Sequence, residues 1–216
     1  MKHTHKKEER RGAVICGAYG RGNAGDDAIL RAIMQEMRQL DETMPMRVIS
    51  RNPTETSRRF GVSACHTFHF KEIWQAVGKA ELFVSGGGSL IQNATSSRSL
   101  YYYLMTLLMA KLRGCKVMMY GSGIGPVYGK FHRWAAGKII DRCVDVATLR
   151  DEDSRRELGY MGVRKPRMLC TADPTISIHQ LDREQGNKLL EYLGIPADGE
   201  YLGLGLRPVS YTHLTL

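Results

Sequence analysis

The sequence predicts an α/β protein with a doubly wound parallel sheet and helices on both faces. Short apolar runs alternate with segments of helical periodicity along most of the 216 residues, the pattern of parallel strands joined by crossover helices. Glycine-rich turns follow several of these runs, and each predicted strand ends in a small or polar residue. Ligands of such sheets bind beyond the carboxyl ends of the strands, so those loops are the candidate site.

The elements follow from hydrophobic periodicity. In the first half the sequence predicts strands at 13–17, 47–50 and 82–85, with helices at 28–40 and 100–112. In the second half it predicts strands at 116–120, 144–149 and 167–170, a basic helix at 130–142, and a capped helix within 151–162.

Domain boundaries are expected where this alternation stops. We expect a disordered basic tail at 1–11, an N-terminal domain at 12–175, and a linker with the start of a second domain at 176–208. Within that last range the pattern predicts a helix at 183–193 and a strand at 201–206. Residues 209–216 have no partner element, so we expect a truncated second domain and a tail that is not native.

Composition excludes several classes of protein. The chain is 43% hydrophobic and 25% charged, as in ordinary globular proteins, and its most apolar segment, 100–112, is too short to span a bilayer. Five widely spaced cysteines in mostly apolar surroundings indicate free thiols in a reducing compartment. We therefore predict a cytoplasmic protein.

The net charge of +9 favours anionic ligands. The first twelve residues supply +3 of it and the rest of the chain +6; a solvated surface accounts equally well for most of these charges. No nucleic-acid-binding module is recognisable. Cys65, His66 and His69 are close in sequence, but no second cluster completes a ligand set, so no metal is predicted.

One glycine motif lies between the first strand and its helix. Residues 20–25, GRGNAG, match the G-x-G-x-x-G pattern of dinucleotide sites. However, Asp26 and Asp27 would repel a pyrophosphate, and the second strand ends in Ser50 and Arg51 instead of an acidic residue. Arg51 suits a 2′-phosphate, so an NADP-like site stays open beside a plain turn whose aspartates cap the helix.

Two further glycine loops follow successive strands and predict a shared ligand rim. Bare backbone lets N–H groups approach a ligand closely. Ser96, Ser97 and Ser99 are expected to cap the apolar helix, and Arg98 either lies at the surface or points at the site. The candidate binding residues here are Gly86, Gly87, Gly88, Ser89, Arg98, Gly121, Ser122 and Gly123.

Arg150 is the candidate catalytic residue. It follows a buried strand at the rim position, just before a helix. Its guanidinium suits a carboxylate or phosphate. Alternatively, Asp151 and Asp153 hold it in a bidentate pair, and its role is then structural.

Together these motifs resemble the polysaccharide pyruvyl transferase family, CsaB type. The matching pieces are GAYGRGNAGDDAIL, SGGGSLIQNATSSRSLYYY, YGSGIGPV, TLRDEDSRREL and TADP, in the family's order and spacing. The resemblance implies the N-terminal Rossmann-like half of a two-domain, GT-B-like architecture, with the active site between the halves.

The resemblance also implies a reaction. The pyruvyl unit of phosphoenolpyruvate moves onto two sugar hydroxyls, giving a cyclic ketal in a cell wall polymer that anchors surface-layer proteins. The acceptor implied is N-acetylmannosamine on a lipid-diphosphate carrier. No cofactor is implied. Peripheral contact of the basic tail with the inner membrane face is left open, as is the oligomeric state.

Site residues carry over by position. Arg150 matches the family's arginine near the donor; Asn23, Gly25, Asp26 and Asp27, with residues 86–89, match its first-domain rim, with aspartate at 27 where relatives often have glutamate. The family's catalytic histidine lies in the second domain, so these 216 residues alone are expected not to complete turnover. A nucleotide-sugar glycosyltransferase and a non-catalytic NADP-like module remain as alternatives.

Overall fold

A computed structural model describes residues 10–178, 183–196 and 199–202. The chain divides into two compact units, residues 1–178 and 179–216. The first unit holds a seven-stranded, all-parallel sheet in the order β3-β2-β1-β4-β5-β6-β7. The predicted α/β class and Rossmann-like sheet are confirmed.

The strands and helices alternate along the chain. The strands are β1 (Ala13–Cys16), β2 (Met46–Ser50), β3 (Ser63–His66), β4 (Leu82–Gly86), β5 (Lys116–Ser122), β6 (Val146–Leu149) and β7 (Arg167–Cys170). The helices of the first unit are α1 (Ala24–Leu40), α2 (Pro53–Phe60), α3 (Phe70–Lys79), α4 (Ser97–Leu112), α5 (Lys130–Cys143) and α6 (Glu152–Tyr160). A short 3-10 helix (Pro174–Ser177) follows β7, and α7 (Arg183–Tyr192) lies in the second unit.

The order of the strands reverses at β1. This strand pairs with β2 on one side and with β4 on the other, so Ala13 is in register with both Met46 and Leu82. In an open parallel sheet, the crevice at such a switch point is the usual ligand site. Here it lies between the loops that follow β1 and β4.

Side chains alternate between two cores, one on each face of the sheet. In β1, Val14 and Cys16 belong to the larger core, and Ala13 and Ile15 belong to the smaller one. This follows from the two-residue period of a strand. Helix α4 is the main cover of the larger core, with Leu100, Leu104 and Leu107 fully buried. Its apolar composition therefore reflects burial within the protein.

The prediction missed one part of the sheet. Residues 53–79 form α2, β3 and α3, for which the sequence analysis proposed no elements. Helix α1 begins at Ala24, four residues earlier than expected, because Asn23 caps it. Of the predicted strand at 201–206, residues 201 and 202 carry no regular structure, and the rest lies outside the described residues, as do 1–9 and 209–216.

The cysteines and the helices agree with the sequence analysis. All five cysteines are free thiols; four are buried, whereas Cys170 is exposed. Among the residues that the structure describes, no helix is both long and apolar enough to cross a bilayer.

Candidate functional site

Asn23 organises the loop after β1. Its side-chain oxygen accepts a hydrogen bond from the Gly25 N–H (3.0 Å), and its amide donates to Asp26 Oδ2 (2.7 Å). These contacts make Asn23 the N-cap of α1. The alternative in which Asp26 and Asp27 cap the helix is therefore wrong, and both carboxylates are available for other contacts.

The two aspartates have different surroundings. Asp27 is buried and forms an ion pair with Arg59 on α2. Asp26 is half-buried, and burial followed by the charge of Asp27 raises the pKa of its carboxyl group. Asp26 Oδ1 lies 3.7 Å from the point where a Cβ on Gly88 would stand. A carboxyl group with a raised pKa therefore faces the glycine loop.

The backbone conformation of the triple-glycine loop favours glycine. A Cβ on Gly86 would stand 2.3 Å from Ile33 Cδ1, and Gly87 and Gly88 have φ angles of +116° and +52°. Such positive φ angles favour glycine. The buried Tyr19 hydroxyl donates to the Gly86 carbonyl (2.5 Å) and fixes the start of the loop.

The second glycine loop is joined to the first. The Gly123 N–H donates to the Gly88 carbonyl (3.1 Å), and the Gly121 N–H donates to Thr148 Oγ1 (2.8 Å). A Cβ on Gly123 would stand 2.6 Å from Ser89 Oγ and 2.7 Å from Arg150 Nε. The bare backbone therefore makes room for the side chains of Ser89 and Arg150.

Arg150 is held where the two loops meet. Its Nη2 donates to Ser89 Oγ (3.0 Å), while Nη1 lies 3.7 Å from Asp173 Oδ2 and Nε 3.5 Å from Asp151 Oδ2. Its backbone N–H donates to the Ser122 carbonyl (3.3 Å).

The bidentate alternative for Arg150 is not found. Asp153 pairs instead with Arg156 (3.2 Å), and Asp151 accepts the Ser154 N–H (2.7 Å) as the N-cap of α6. Hydrogen bonding with Ser154, first with its side chain and then with its backbone N–H, lowers the pKa of Asp151. With its side chain 36% exposed and only long contacts to carboxylates, Arg150 keeps the capacity to bind an anion.

Arg98 lies in a different place, a cleft of about 490 Å³ beside the loop after β1. Ser96, which also lines this cleft, caps α4 by accepting the Arg98 N–H (3.2 Å). The cleft is lined by Gly17, Tyr19, Arg21, Thr67, Phe68, Thr95, Ser96, Arg98, Ser99, Tyr102 and Tyr103. It is hereafter called the arginine cleft.

Aromatic rings form one wall of the arginine cleft. Phe68 meets Tyr102 edge to face, with 6.1 Å between ring centroids, and the Arg51 guanidinium lies 4.7 Å from the Phe68 centroid. Arg51 is therefore engaged by a ring. The Tyr102 hydroxyl is buried without a hydrogen-bond partner among the described residues, and burial followed by the nearby Cys16 thiol raises its pKa.

The structure thus divides the predicted site residues into two groups. Ser89, Gly123 and Arg150 meet directly, and Asp26 faces their loop across Gly88. Arg98 does not join them. Four further residues line these two places but are not among the predicted site residues: Asp173 at the Arg150 rim, and Arg21, Phe68 and Tyr102 in the arginine cleft. Asp173 follows β7 at the same edge of the sheet. Its place just after a predicted strand is the sequence feature by which it could have been selected.

No metal site forms from the suspected ligands. The His66 and His69 rings lie 5.0 Å apart, and His69 Nδ1 is 3.7 Å from Glu72. Over 10–178, 183–196 and 199–202, no group of three His, Cys, Asp or Glu side chains has the geometry to hold a metal ion.

Comparison with known proteins decides the family. A family model described as Polysaccharide pyruvyl transferase matches residues 23–210, most of the chain. The chain belongs to the polysaccharide pyruvyl transferase family. The matched range includes both glycine loops, Arg150 and Asp173. No curated protein matches the chain.

Solved structures support the fold of this family member. Crystal structures of Anabaena Alr3699/HepE in complex with UDP-glucose, and with UDP and glucose, match it with a TM-score of 0.52 and 9% sequence identity, covering 86% of this chain. A third HepE structure, with UDP, has a TM-score of 0.51 at 10% identity. The chain spans about half the length of these HepE chains. At this identity the likeness establishes the fold alone.

Proposed function

We propose that this protein acts in pyruvyl transfer from phosphoenolpyruvate to a sugar, giving a cyclic ketal and inorganic phosphate. The observation that carries the proposal is Arg150, placed at the junction of two glycine loops in a chain of this family. The donor is small and carries a carboxylate and a phosphate. A guanidinium with incomplete ion pairs, next to backbone without side chains, suits both anionic groups.

The atoms of the reaction balance without a cofactor. One sugar hydroxyl adds to the enol carbon of phosphoenolpyruvate, whose methylene carbon takes up a proton and becomes a methyl group. A second hydroxyl then displaces phosphate from the same carbon and closes the ketal. The two hydroxyl protons are transferred to the methyl carbon and to phosphate, so the enzyme supplies only a proton acceptor, a proton donor and charge stabilisation.

We assign proton transfer in this half of the enzyme to Asp26. Its raised pKa makes the carboxylate a stronger base than an ordinary aspartate, and it faces Gly88, next to the residues that hold Arg150. Asp27 is already paired with Arg59. Asp26 would therefore accept a proton from a sugar hydroxyl, and Asn23 would orient it through their 2.7 Å hydrogen bond.

The arginine cleft is the proposed acceptor site. The exposed guanidinium groups of Arg21 and Arg98 suit a diphosphate, and neither forms a salt bridge within 4.0 Å among the described residues. Phe68 and Tyr102 offer ring surface to a sugar. This combination fits the expected acceptor, N-acetylmannosamine on a lipid diphosphate, as in the CsaB type.

Titration calorimetry with phosphoenolpyruvate tests the donor site. We expect the 216-residue protein to bind it, and Arg150→Ala to weaken binding by about tenfold or more, the usual effect of losing a charge-assisted hydrogen bond. Arg155→Ala is the matched control, because Arg155 is nearby on α6 but is paired with Glu152 (2.6 Å). Equal losses in both variants would contradict the role of Arg150 in donor binding. Binding of UDP-glucose in place of phosphoenolpyruvate would contradict the proposed reaction and favour a nucleotide-sugar glycosyltransferase.

The acceptor site is tested separately. A soluble N-acetylmannosamine disaccharide 1-diphosphate should bind, and Arg98→Ala should weaken that binding while leaving phosphoenolpyruvate binding unchanged. Turnover is read as acceptor-dependent phosphate release with ketal formation on the sugar.

A further inference from the structure

Helix α5 presents aromatic side chains to solvent. Phe131 is 64% exposed and Trp134 is 58% exposed, and Tyr128, just before the helix, is 63% exposed. The Phe131 and Trp134 ring centroids lie 5.8 Å apart, so these two side chains form one apolar surface. Scattered exposed apolar residues are ordinary, but adjacent large aromatic rings on one helix indicate contact with another surface.

Basic residues continue the same face of the helix. Phe131, Trp134, Lys138 and Arg142 are spaced by three or four residues and are all exposed, so they form a single stripe. Lys130 is exposed at its start. These six residues, Tyr128, Lys130, Phe131, Trp134, Lys138 and Arg142, are hereafter called the α5 face.

The positive charge of the α5 face is largely uncompensated. Within the described residues, no carboxylate lies within 4.0 Å of the Lys130, Lys138 or Arg142 cationic groups. The nearby carboxylate of Asp141 accepts the backbone N–H groups of Arg164 (2.7 Å) and Lys165 (2.9 Å). These contacts bring two more exposed basic residues beside the helix.

We propose that the α5 face docks on an anionic lipid bilayer. Aromatic rings that insert at the headgroup level, next to lysine and arginine that contact anionic lipids, are the features of an interfacial helix. A protein partner fits less well, because protein–protein interfaces are depleted in lysine. The remaining chain beyond the first twelve residues carries +6, which favours approach to a negative surface.

Helix α5 begins at the edge of the sheet where the candidate site lies. A crossover helix begins at the carboxyl edge of the sheet, which is also the edge that holds Arg150. The Asn93 side chain ties Tyr128 to the loop after β4, donating to the Tyr128 carbonyl (3.0 Å) and accepting its N–H (2.7 Å). The aromatic end of the α5 face therefore lies toward the carboxyl edge of the sheet, where Arg150 also lies. The benefit of docking near this edge rests on the proposed function with its lipid-linked acceptor, whereas the docking itself does not.

The two tryptophans allow a direct test with the full chain. Trp74→Phe leaves Trp134 as the sole tryptophan. On vesicles of equal parts phosphatidylglycerol and phosphatidylcholine, we expect its emission to shift to shorter wavelength and to be quenched by brominated acyl chains. Pure phosphatidylcholine vesicles should give a much smaller effect. No substrate is present, so failure of the proposed reaction would not affect the result.

Variants separate the α5 face from other contacts. Phe131→Ser with Trp134→Ser, measured by vesicle flotation, should lower the partition coefficient by about tenfold or more. Lys138→Gln with Arg142→Gln should lower it by roughly fivefold for each cation removed. The matched controls are Leu40→Ser with Tyr160→Ser, exposed apolar residues elsewhere, and Arg58→Gln with Lys71→Gln, exposed cations elsewhere; both should bind like the parent chain.

Three results would overturn the inference. The first is equal losses in the control variants, which would indicate unspecific charge or folding effects. The second is binding that depends on Lys2, Lys6 and Lys7 and not on Phe131 and Trp134. The third is an unshifted Trp134 in vesicles with a concentration-dependent shift without them, which would indicate that the α5 face contacts a second copy of the chain.

Discussion

At the scale of single residues, Asp26 combines a position at the candidate site, facing Gly88, with an energetic cost. It is half-buried beside a second carboxylate, and burial is the main reason that its pKa is raised. Asn23 and Arg21 oppose this shift by a hydrogen bond and by charge, respectively. A side chain kept in an environment that disfavours its charge is typical of residues retained for function.

We therefore predict that Asp26→Asn stabilises the protein at neutral pH. A raised native pKa means that the folded state binds more protons than the unfolded state, so stability falls as pH rises above the unfolded value of about 3.8. The variant should show a higher free energy of unfolding at pH 7, and this gain should disappear below the unfolded pKa. Urea denaturation across this pH range measures both.

Asp41→Asn is the control of opposite sign. Contacts with Thr43, first its side chain, lower the pKa of Asp41. Its stabilising contribution is therefore present above the unfolded pKa and is lost as pH falls through the native value. Asp41→Asn should destabilise at pH 7 and converge with the parent chain in acid. A stability loss in both variants at pH 7 would contradict the assignment of Asp26.

The sequence identified single residues where the local pattern was sufficient. The position of Arg150 could be predicted because it directly follows a buried strand, and the structure places it at the carboxyl edge of the sheet with Ser89. Asp173 and Tyr102 could not be selected in the same way. Asp173 approaches Arg150 only after β7 joins the sheet beside β6, and Tyr102 resembles its neighbours Tyr101 and Tyr103 until packing separates the three rings.

At the scale of elements, glycine sets how closely α5 can approach its neighbour. A Cβ on Gly137 would stand 2.0 Å from the Met161 carbonyl oxygen at the end of α6. That contact involves backbone, so it cannot be relieved by moving a flexible side chain. Gly159, in α6, has nothing within 4 Å of its own Cβ position. Both positions are glycines within a helix, but Gly137 is packed against backbone and Gly159 faces open space.

We predict opposite effects of alanine at these two positions. Gly137→Ala should destabilise by about 1–3 kcal/mol, because overpacking against backbone outweighs the gain in helix propensity. Gly159→Ala should be neutral or stabilise by up to about 1 kcal/mol, since only propensity changes. Thermal unfolding of both variants tests this. A stabilised Gly137→Ala would show that α5 and the Met161 segment separate easily.

Elements were predictable where apolar residues stand together in the sequence. The six predicted strands, β1, β2, β4, β5, β6 and β7, were located to within two residues; even β7, whose residues are mostly exposed, contains the apolar run MLC. The segment 53–79 was missed for a different reason. Helix α2, PTETSRRF, buries only Thr56, and β3 has just four residues with one of them buried. At this edge of the sheet, pairing with β2 determines a strand that local periodicity does not reveal. Helix α3 could have been predicted, because its buried residues Ile73, Ala76 and Val77 have helical spacing.

At the scale of the whole molecule, the first unit contains a complete hydrophobic core. The buried members of both core clusters lie between Ala13 and Val163. The sheet is complete at Cys170, and Pro174 packs over Gly121, whose Cβ position is 2.2 Å from Pro174 Cγ. The structural requirements of the sheet therefore end close to residue 178, where the first compact unit ends.

A chain that stops at Ile178 should consequently fold on its own. We expect its melting temperature to stay within about 4 °C of the 216-residue chain, the shift that roughly 1 kcal/mol produces at this size. A chain ending at Val163 is the control, because it keeps every buried core residue but loses β7, leaving β6 as an unpaired edge and Arg150 without Asp173. That chain should melt at a clearly lower temperature or lose its cooperative transition. Circular dichroism of the three chains separates the outcomes. If the Ile178 chain unfolds as readily as the Val163 chain, residues 179–216 are part of the folding unit, and the expected domain boundary near 175 is wrong.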